Sequence, residues 1–184
     1  MNNLIDKLSL SEQSVANLAL NLKVGNNSFQ TCTGGLFVNR HHYGTHGLMT
    51  HTKEVIEIAL ELNKRSDVPE NEIILAGLFH DTGKVFDYEE VDGKWVTTKH
   101  KRLIHHISRG ALFWQECSLK IGLDAKLIDD VLHAILAHHG KREYGSPVSP
   151  GTKLGWLIHL ADTCSARIYE ANHDFDFLSA PVKG

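Results

Sequence analysis

Hydrophobic positions along this chain recur mainly at intervals of three and four, the period of helices with one buried face. From Thr52 onward Val55, Ile56, Ala59 and Leu60 set that pattern, and a polar run from Asn63 to Asp67 ends it. Pro69 opens a second helix, which carries Ile73, Ile74, Gly77 and Leu78 and is expected to end near Lys84. Leu103, Ile104, Ile107, Ala111 and Leu112 define a third. Asp124 caps a fourth, with Leu127, Ile128, Val131, Leu132, Ile135 and Leu136 on its apolar face. After a Gly/Pro loop, Leu154, Leu157, Ile158 and Ala161 mark a fifth. Upstream, Ser9-x-x-Glu12 has the spacing of a capping box ahead of a short helix to about Leu22. Residues 24–50, rich in Gly, Asn, Thr and His, read as loop. One segment breaks the helical period: Asp92-Gly93, between Tyr/Val and Trp/Val/Thr residues, signals a β-hairpin. The predicted class is all-α, a helical bundle with one small β-hairpin insertion. Residues 1–38 form a helix-and-loop extension, and residues 39–184 form the main domain.

Composition narrows the function classes. A chain of 184 residues suits one domain with a real core. Lys+Arg 19 against Asp+Glu 22 leaves a net charge of −3, so no general basic field draws it to nucleic acid or membrane. No apolar run approaches the roughly 20 residues of a membrane span. The N-terminus lacks the basic start and long apolar stretch of a signal peptide. Cys32, Cys117 and Cys164 lie far apart with no CxxC pair, which fits reduced thiols in a cytoplasmic protein. The anomaly is histidine, with 13 copies.

A tag or metal-buffering tract would gather these in one stretch, and they are dispersed. His51 opens the first core helix, His80-Asp81 lies near the end of the second, and His105-His106 lies in the third. His138-His139 ends the fourth, and Asp162 sits in the fifth. Five successive helices each bring an imidazole or a carboxylate, as in bundles that build a dinuclear centre from inward-facing side chains. Adjacent helical residues point about 100° apart, so His80 and Asp81 can flank a metal pair that the carboxylate bridges. Lys84 follows Asp81 by one turn, a cation suited to an anionic substrate. Imidazole and carboxylate without thiolate favour Mn²⁺, Fe²⁺, Co²⁺, Ni²⁺, Mg²⁺ or catalytic Zn²⁺ over structural zinc. Two such ions can activate water and clamp a phosphoryl group. No GxSxG elbow, Walker A loop or motif-paired cysteine offers rival chemistry.

LFHDTGKV resembles the HDxGK signature of the HD-domain metal-dependent phosphohydrolase superfamily, and His51, His106, His138-His139 and Asp162 follow in that family's order. Within it, NRHHYGTHGLMTH, HDTGKV, HHIS, LAHHGKREYGSPVSP and HLADTCSAR are similar to the HD domain of YhaM-type 3′–5′ exoribonucleases, from about Asn39 to Ala171. The resemblance implies that His51, His80, Asp81 and Asp162 hold one divalent ion. Asp81 would bridge to a second, completed by His106, His138 and His139, and Lys84 would contact phosphate. Two departures stand out. Those enzymes carry an N-terminal OB-fold, for which the 38 residues before Asn39 are too few and too helical. Some three-metal relatives place an extra carboxylate at position 47, which here is Gly47, so two ions are expected.

His41, His42 and His46, in the loop leading to His51, are candidate substrate contacts, as are Lys141, Arg142, Tyr144 and Ser146 after the histidine pair. Either member of His105-His106 could face inward, with the resemblance favouring His106. His159, one turn before Asp162, is a candidate support for the ligands, while His133 and Arg167 read as structural and His100 and His173 carry no assignment. The expected activity is phosphodiester hydrolysis, on an oligonucleotide or RNA 3′ end or on a cyclic or linear dinucleotide. A single-stranded RNA or DNA partner is compatible with it. A nucleotide mono- or triphosphate phosphohydrolase and a non-catalytic nucleotide-sensing module remain as alternatives.

Overall fold

The computed structural model describes residues 1–38 and 40–173, so Asn39 and the C-terminal segment 174–184 lie outside the described residues. The long helices of the bundle are α2 (Leu10–Leu20), α3 (Gly47–Leu62), α4 (Glu70–Phe79), α7 (His106–Ile121), α8 (Ala125–Ala137) and α9 (Lys153–Asn172). Shorter helices are α1 (Asn2–Ile5), α5 (Lys84–Asp87) and α6 (Lys99–Leu103). Helix α4 is the axis. Every residue from Ile73 to Phe79 is buried, and α2, α3, α7, α8 and α9 all pack on it. A helix apolar on every side belongs at the middle of a bundle. Each fully buried Ile, Leu or Phe contributes roughly 1.5–3 kcal/mol, so Ile73, Ile74, Leu75, Leu78 and Phe79 fix its place firmly. The chain leaving α4 therefore emerges at the centre of the molecule, and that is where His80 and Asp81 lie.

The neighbours are pinned individually. Trp114 of α7 packs edge-on against Phe79 with ring centroids 5.0 Å apart, and its indole donates to the Ile128 carbonyl of α8 at 2.9 Å. The predicted capping box is present, with the Ser9 amide donating to Glu12 at 2.8 Å. Glu12 also accepts from Asn71 at 2.6 Å and ties α2 to α4. Asp124 caps α8 through the amides of Lys126 and Leu127. Residues before Asn39 supply Ile5, Leu8, Val15, Ala16, Ala19, Phe29 and Cys32 to the same core as the later helices.

The predicted hairpin forms as β3 (Tyr88–Val91) paired antiparallel with β4 (Lys94–Thr97). Asp92 and Gly93 both take positive φ at the turn, as a two-residue hairpin loop requires. Four boundaries differ from expectation. A second antiparallel pair, β1 (Lys23–Val24) with β2 (Asn27–Ser28), lies in the stretch read as loop, and α3 begins at Gly47 within that same stretch. Helix α4 stops at Phe79, and a tight turn through Gly83 precedes α5. The third expected helix is two, because His105 adopts φ 70° and breaks the chain between α6 and α7. None of these places carries a Pro, and at Gly47 and Gly83 the neighbouring backbone leaves no room for a side chain. Among the described residues no helix is long and apolar enough to cross a membrane.

Candidate metal centre

Five helices converge on the turn after α4. His51 comes from the second turn of α3, and His80 and Asp81 from the turn itself. His106 is the first residue of α7, His138 and His139 follow the last turn of α8, and Asp162 lies midway along α9. His51, His80, Asp81 and His138 are essentially inaccessible to solvent, and His106 is nearly so. The two oxygens of Asp81 face different partners. Oδ2 lies 3.3 Å from His80 Nε2 and 3.5 Å from His51 Nε2, and His51 Nε2 in turn lies 3.0 Å from Asp162 Oδ1. Oδ1 lies 3.5 Å from His106 Nε2 and 3.7 Å from His138 Nε2. Among the described residues four groups could hold a cation; besides His41 with His42 and His51, and Asp87 with His105 and His106, two meet at this turn, one from His51, His80 and Asp81, the other from Asp81, His106, His138 and His139. They share Asp81.

The outer nitrogens of these rings fix the tautomers. His80 Nδ1 donates to the Gly77 carbonyl at 2.6 Å, His138 Nδ1 to Ile135 at 2.7 Å and His139 Nδ1 to Tyr144 at 2.7 Å. A carbonyl only accepts, so each Nδ1 carries the proton and each Nε2 presents a lone pair. His51 follows the same logic through a side chain. Ser165 Oγ donates to Glu54 at 2.9 Å and therefore accepts from His51 Nδ1 at 3.0 Å. With the rings neutral, the inward nitrogens meet one another as lone pairs, with His51 Nε2 and His80 Nε2 only 3.4 Å apart. Asp81 Oδ1, His106 Nε2 and His138 Nε2 are buried without a hydrogen-bond partner. Buried lone pairs facing each other and two carboxylates are costly unless something positive sits between them. Divalent cations fit that need, and a set of nitrogens and oxygens without sulfur suits the ions named above.

Protonation of the rings is a poorer answer for most of them. Burial pushes His51 below the ordinary imidazole range and His106 far below it, and it brings His139 down to about 4. His80 goes the other way: burial opposes its charge, but the Asp81 carboxylate outweighs burial and holds it high. Asp81 stays ionised although burial works to raise it, because the Lys84 ammonium and His80 hold it well below the usual carboxylate range. Burial is likewise overridden at Asp162, where the contact with His51 is the main stabiliser of the anion.

The HD domain family model matches residues 48–167, which span every one of these side chains. The chain belongs to the HD-domain family of metal-dependent phosphohydrolases. A 3′–5′ exoribonuclease YhaM from Shouchella clausii is 30% identical over 131 residues, covering 70% of this chain and 40% of the relative. The YhaM exoribonucleases of Bacillus pumilus and Bacillus velezensis are also 30% identical over 131 residues, each covered to 41%. The chain thus spans about two-fifths of the length of these curated relatives. No solved structure is significantly similar to it.

The other candidates of this HD domain divide by position. His41 and His42 lie against His51, with ring centroids 5.0 and 4.9 Å away. His42 is buried and bonds Glu54 through Nε2 at 2.9 Å, and burial brings it down to about 4. His46 is exposed at the start of α3 and bonds the Gln30 carbonyl through Nδ1. Lys141, Arg142 and Tyr144 stand exposed on the loop after α8. Ser146 is buried and accepts from the His139 amide at 3.0 Å, so it ties that loop to the centre. Lys84 is buried, with Nζ 2.6 Å from Asp81 Oδ2 and donating to the Gly34 carbonyl at 2.8 Å. His106, not His105, faces inward; the His105 ring lies tilted against it with centroids 4.1 Å apart. His159 supports the centre through a 2.7 Å bond to the His138 carbonyl, and His133 accepts from the Gly151 amide at 2.9 Å.

Sequence reading missed Glu54, Asp87 and Ser165. Each lies one helical turn from a singled-out residue, respectively His51, Lys84 and Asp162, and that polar spacing was the available signal. The structure also explains Gly47. A Cβ there would lie 1.8 Å from the His42 carbonyl oxygen, which is itself bonded to the Gly34 amide at 2.9 Å. Backbone of the preceding loop fills the space into which a side chain at position 47 would project.

Proposed function

We propose that this HD domain hydrolyses phosphodiesters with two divalent ions that share Asp81. The proposed substrates are oligonucleotide or RNA 3′ ends and cyclic or linear dinucleotides. The observation that carries this reading is the division of Asp81, one oxygen toward His51 and His80 and the other toward His106 and His138. The names of the relatives favour a nucleic-acid substrate. The first ion would take His51, His80, Asp81 and Asp162; the second would take Asp81, His106, His138 and His139. When bound, such a pair supplies Lewis-acid stabilisation and a water of lowered pKa.

The side chains do the remaining work. Asp81, held by Lys84, keeps both positions in register. Two of the three Lys84 ammonium donors are used by Asp81 and Gly34, which leaves one for a phosphoryl oxygen. Two divalent ions would outweigh Asp81 and Asp162 and, with Lys84, leave the centre positive, the sign that suits charge building on phosphoryl oxygens. His41 and His42 form the wall of the centre beside His51. His46, Lys141, Arg142 and Tyr144 are the outer substrate contacts of this reading, with Ser146 holding the last three in place.

The test uses protein stripped with chelator and reloaded with Mn²⁺, offered bis-p-nitrophenyl phosphate, oligoribonucleotides, cyclic nucleotides and mononucleotides. Diester cleavage that needs the metal, leaves nucleotide products and vanishes in Asp81→Ala is expected. Release of inorganic phosphate or pyrophosphate from mononucleotides or nucleoside triphosphates, with diesters intact, would replace this reading with that of a nucleotide phosphohydrolase.

A further inference from the structure

Asp87 is a carboxylate with no solvent exposure that the chemistry above leaves unused. It ends α5, one turn beyond Lys84, and its two oxygens face opposite ways. Oδ1 lies 2.7 Å from His100 Nδ1. Oδ2 accepts from the His106 backbone amide at 3.0 Å and lies 3.4 Å from His106 Nδ1. Behind His100, Arg109 Nε donates to His100 Nε2 at 3.1 Å, with its guanidinium over the Phe86 ring at 5.1 Å.

On the His100 side of this row each proton has one consistent place. Arg109 can only donate, so His100 Nε2 accepts and His100 Nδ1 must carry the hydrogen offered to Asp87. The carboxylate is thereby committed to accepting on both sides. His106 Nδ1 is buried and lacks a partner within hydrogen-bond geometry, and Asp87 Oδ2 is the anionic acceptor beside it. A hydrogen placed on Nδ1 faces that carboxylate, while a hydrogen on Nε2 would leave the Nδ1 lone pair facing it. The row thus selects the tautomer whose Nε2 lone pair points at Asp81 Oδ1. The same carboxylate also serves the first amide of α7, where His105 provides no side-chain cap.

We propose that Asp87, backed by His100 and Arg109, is a positioning residue. It sets the tautomer and orientation of His106 and raises the basicity of that ring toward the cation on its side of Asp81. His51, His80, His138 and His139 lean on a hydroxyl or on carbonyls; His106 is the ring among these five that leans on a carboxylate. This rests on the two-cation reading of the centre. Outer partners of this kind are worth roughly ten- to a hundred-fold in metal affinity.

Three measurements test it: imidazole ¹⁵N shifts of metal-free protein, Mn²⁺ titration by calorimetry, and thermal melts of metal-free protein. In wild type the His106 ring should be in the Nδ1–H form. Asp87→Asn should convert it to a mixture and weaken one of two Mn²⁺ steps by roughly ten-fold or more, leaving the other unchanged. His100→Ala should show the same change at smaller size. Added to His106→Ala, Asp87→Asn should weaken Mn²⁺ binding no further. Wild-type shifts and affinities in Asp87→Asn overturn the proposal, as does an equal further loss in the His106→Ala background. If the melts show that Asp87→Asn does not fold, His100→Ala decides by the same criteria. Absence of Mn²⁺ binding in wild type would instead overturn the two-cation reading.

Discussion

Lys84 and Asp81 form a buried ion pair whose worth depends on what else occupies the centre. Breaking a buried pair by removing one partner leaves an uncompensated charge and costs about 3–5 kcal/mol. Lys84→Met keeps most of the stem and removes the ammonium, so Asp81 loses the cation that holds it ionised. Metal-free Lys84→Met should therefore lose about 3 kcal/mol in denaturant unfolding, and saturating Mn²⁺ should return a large part of it. A loss that Mn²⁺ leaves untouched would show Lys84 acting through packing alone. The sequence exposed Lys84, Asp81 and His80 readily, because a cation and a carboxylate three residues apart directly after an apolar run have no packing explanation. Asp87 and Glu54 were hidden, since an acidic residue one turn from a singled-out residue looks like ordinary helix surface until burial is known.

At the scale of elements, the entry to α7 and the start of α2 make separate predictions. Gly83 is pressed against the α7 start, and a Cβ there would sit 2.1 Å from the His106 carbonyl oxygen. That obstacle is backbone, so Gly83→Ala must push α7 or the turn away at a cost of about 1–3 kcal/mol. The variant should melt lower without metal and lose the His106 side of Mn²⁺ binding first; equal weakening of both steps would contradict this. In α2 the Glu12 carboxyl is held below its usual range: burial works to raise it but is outweighed by hydrogen bonds from Asn71 and Ser9. A carboxyl with a depressed folded-state pKa stabilises the fold fully above its unfolded value, and that stability fades as pH falls through the folded value. Glu12→Gln should be less stable than wild type at neutral pH, by about 0.5–1 kcal/mol. The gap should close in strong acid, as read from melts across that range. The capping box located α2, and α4 showed as a run apolar on every side; periodicity located α8 and α9 because one apolar face determines each. It misplaced the start of α3, the end of α4 and the break at His105, where backbone contacts at Gly47, Gly83 and His106 decide and leave no hydrophobic signature.

The whole molecule is a bundle around α4 that brings lone pairs and carboxylates from five helices into one buried volume. Metal-free, that volume opposes the packing that creates it; with cations bound it reinforces that packing. A ligand that binds only the folded state stabilises it by mass action, by about 2.7 kcal/mol at roughly a hundred times its dissociation constant. Mn²⁺ should accordingly raise the melting temperature of chelator-treated protein by several degrees, and Asp81→Ala should abolish the rise. A similar rise in Asp81→Ala would place the stabilising ion elsewhere. The cluster was legible from sequence because its candidate ligands are distributed one helix at a time; its outer supports were not, because they are contacts between helices that no linear spacing records.

The loop across the start of α3 bears on what mutation can reach. Since the His42 carbonyl already stands where a side chain at position 47 would project, Gly47→Glu would not convert this centre into one with an extra carboxylate. The glutamate would have to displace a backbone hydrogen bond and the buried His42 that follows from it. Any lineage or design moving between the two arrangements has to remodel the segment from Gly34 to His42 together with position 47. A single-residue step between them leads through a protein whose loop and helix cannot both keep their places.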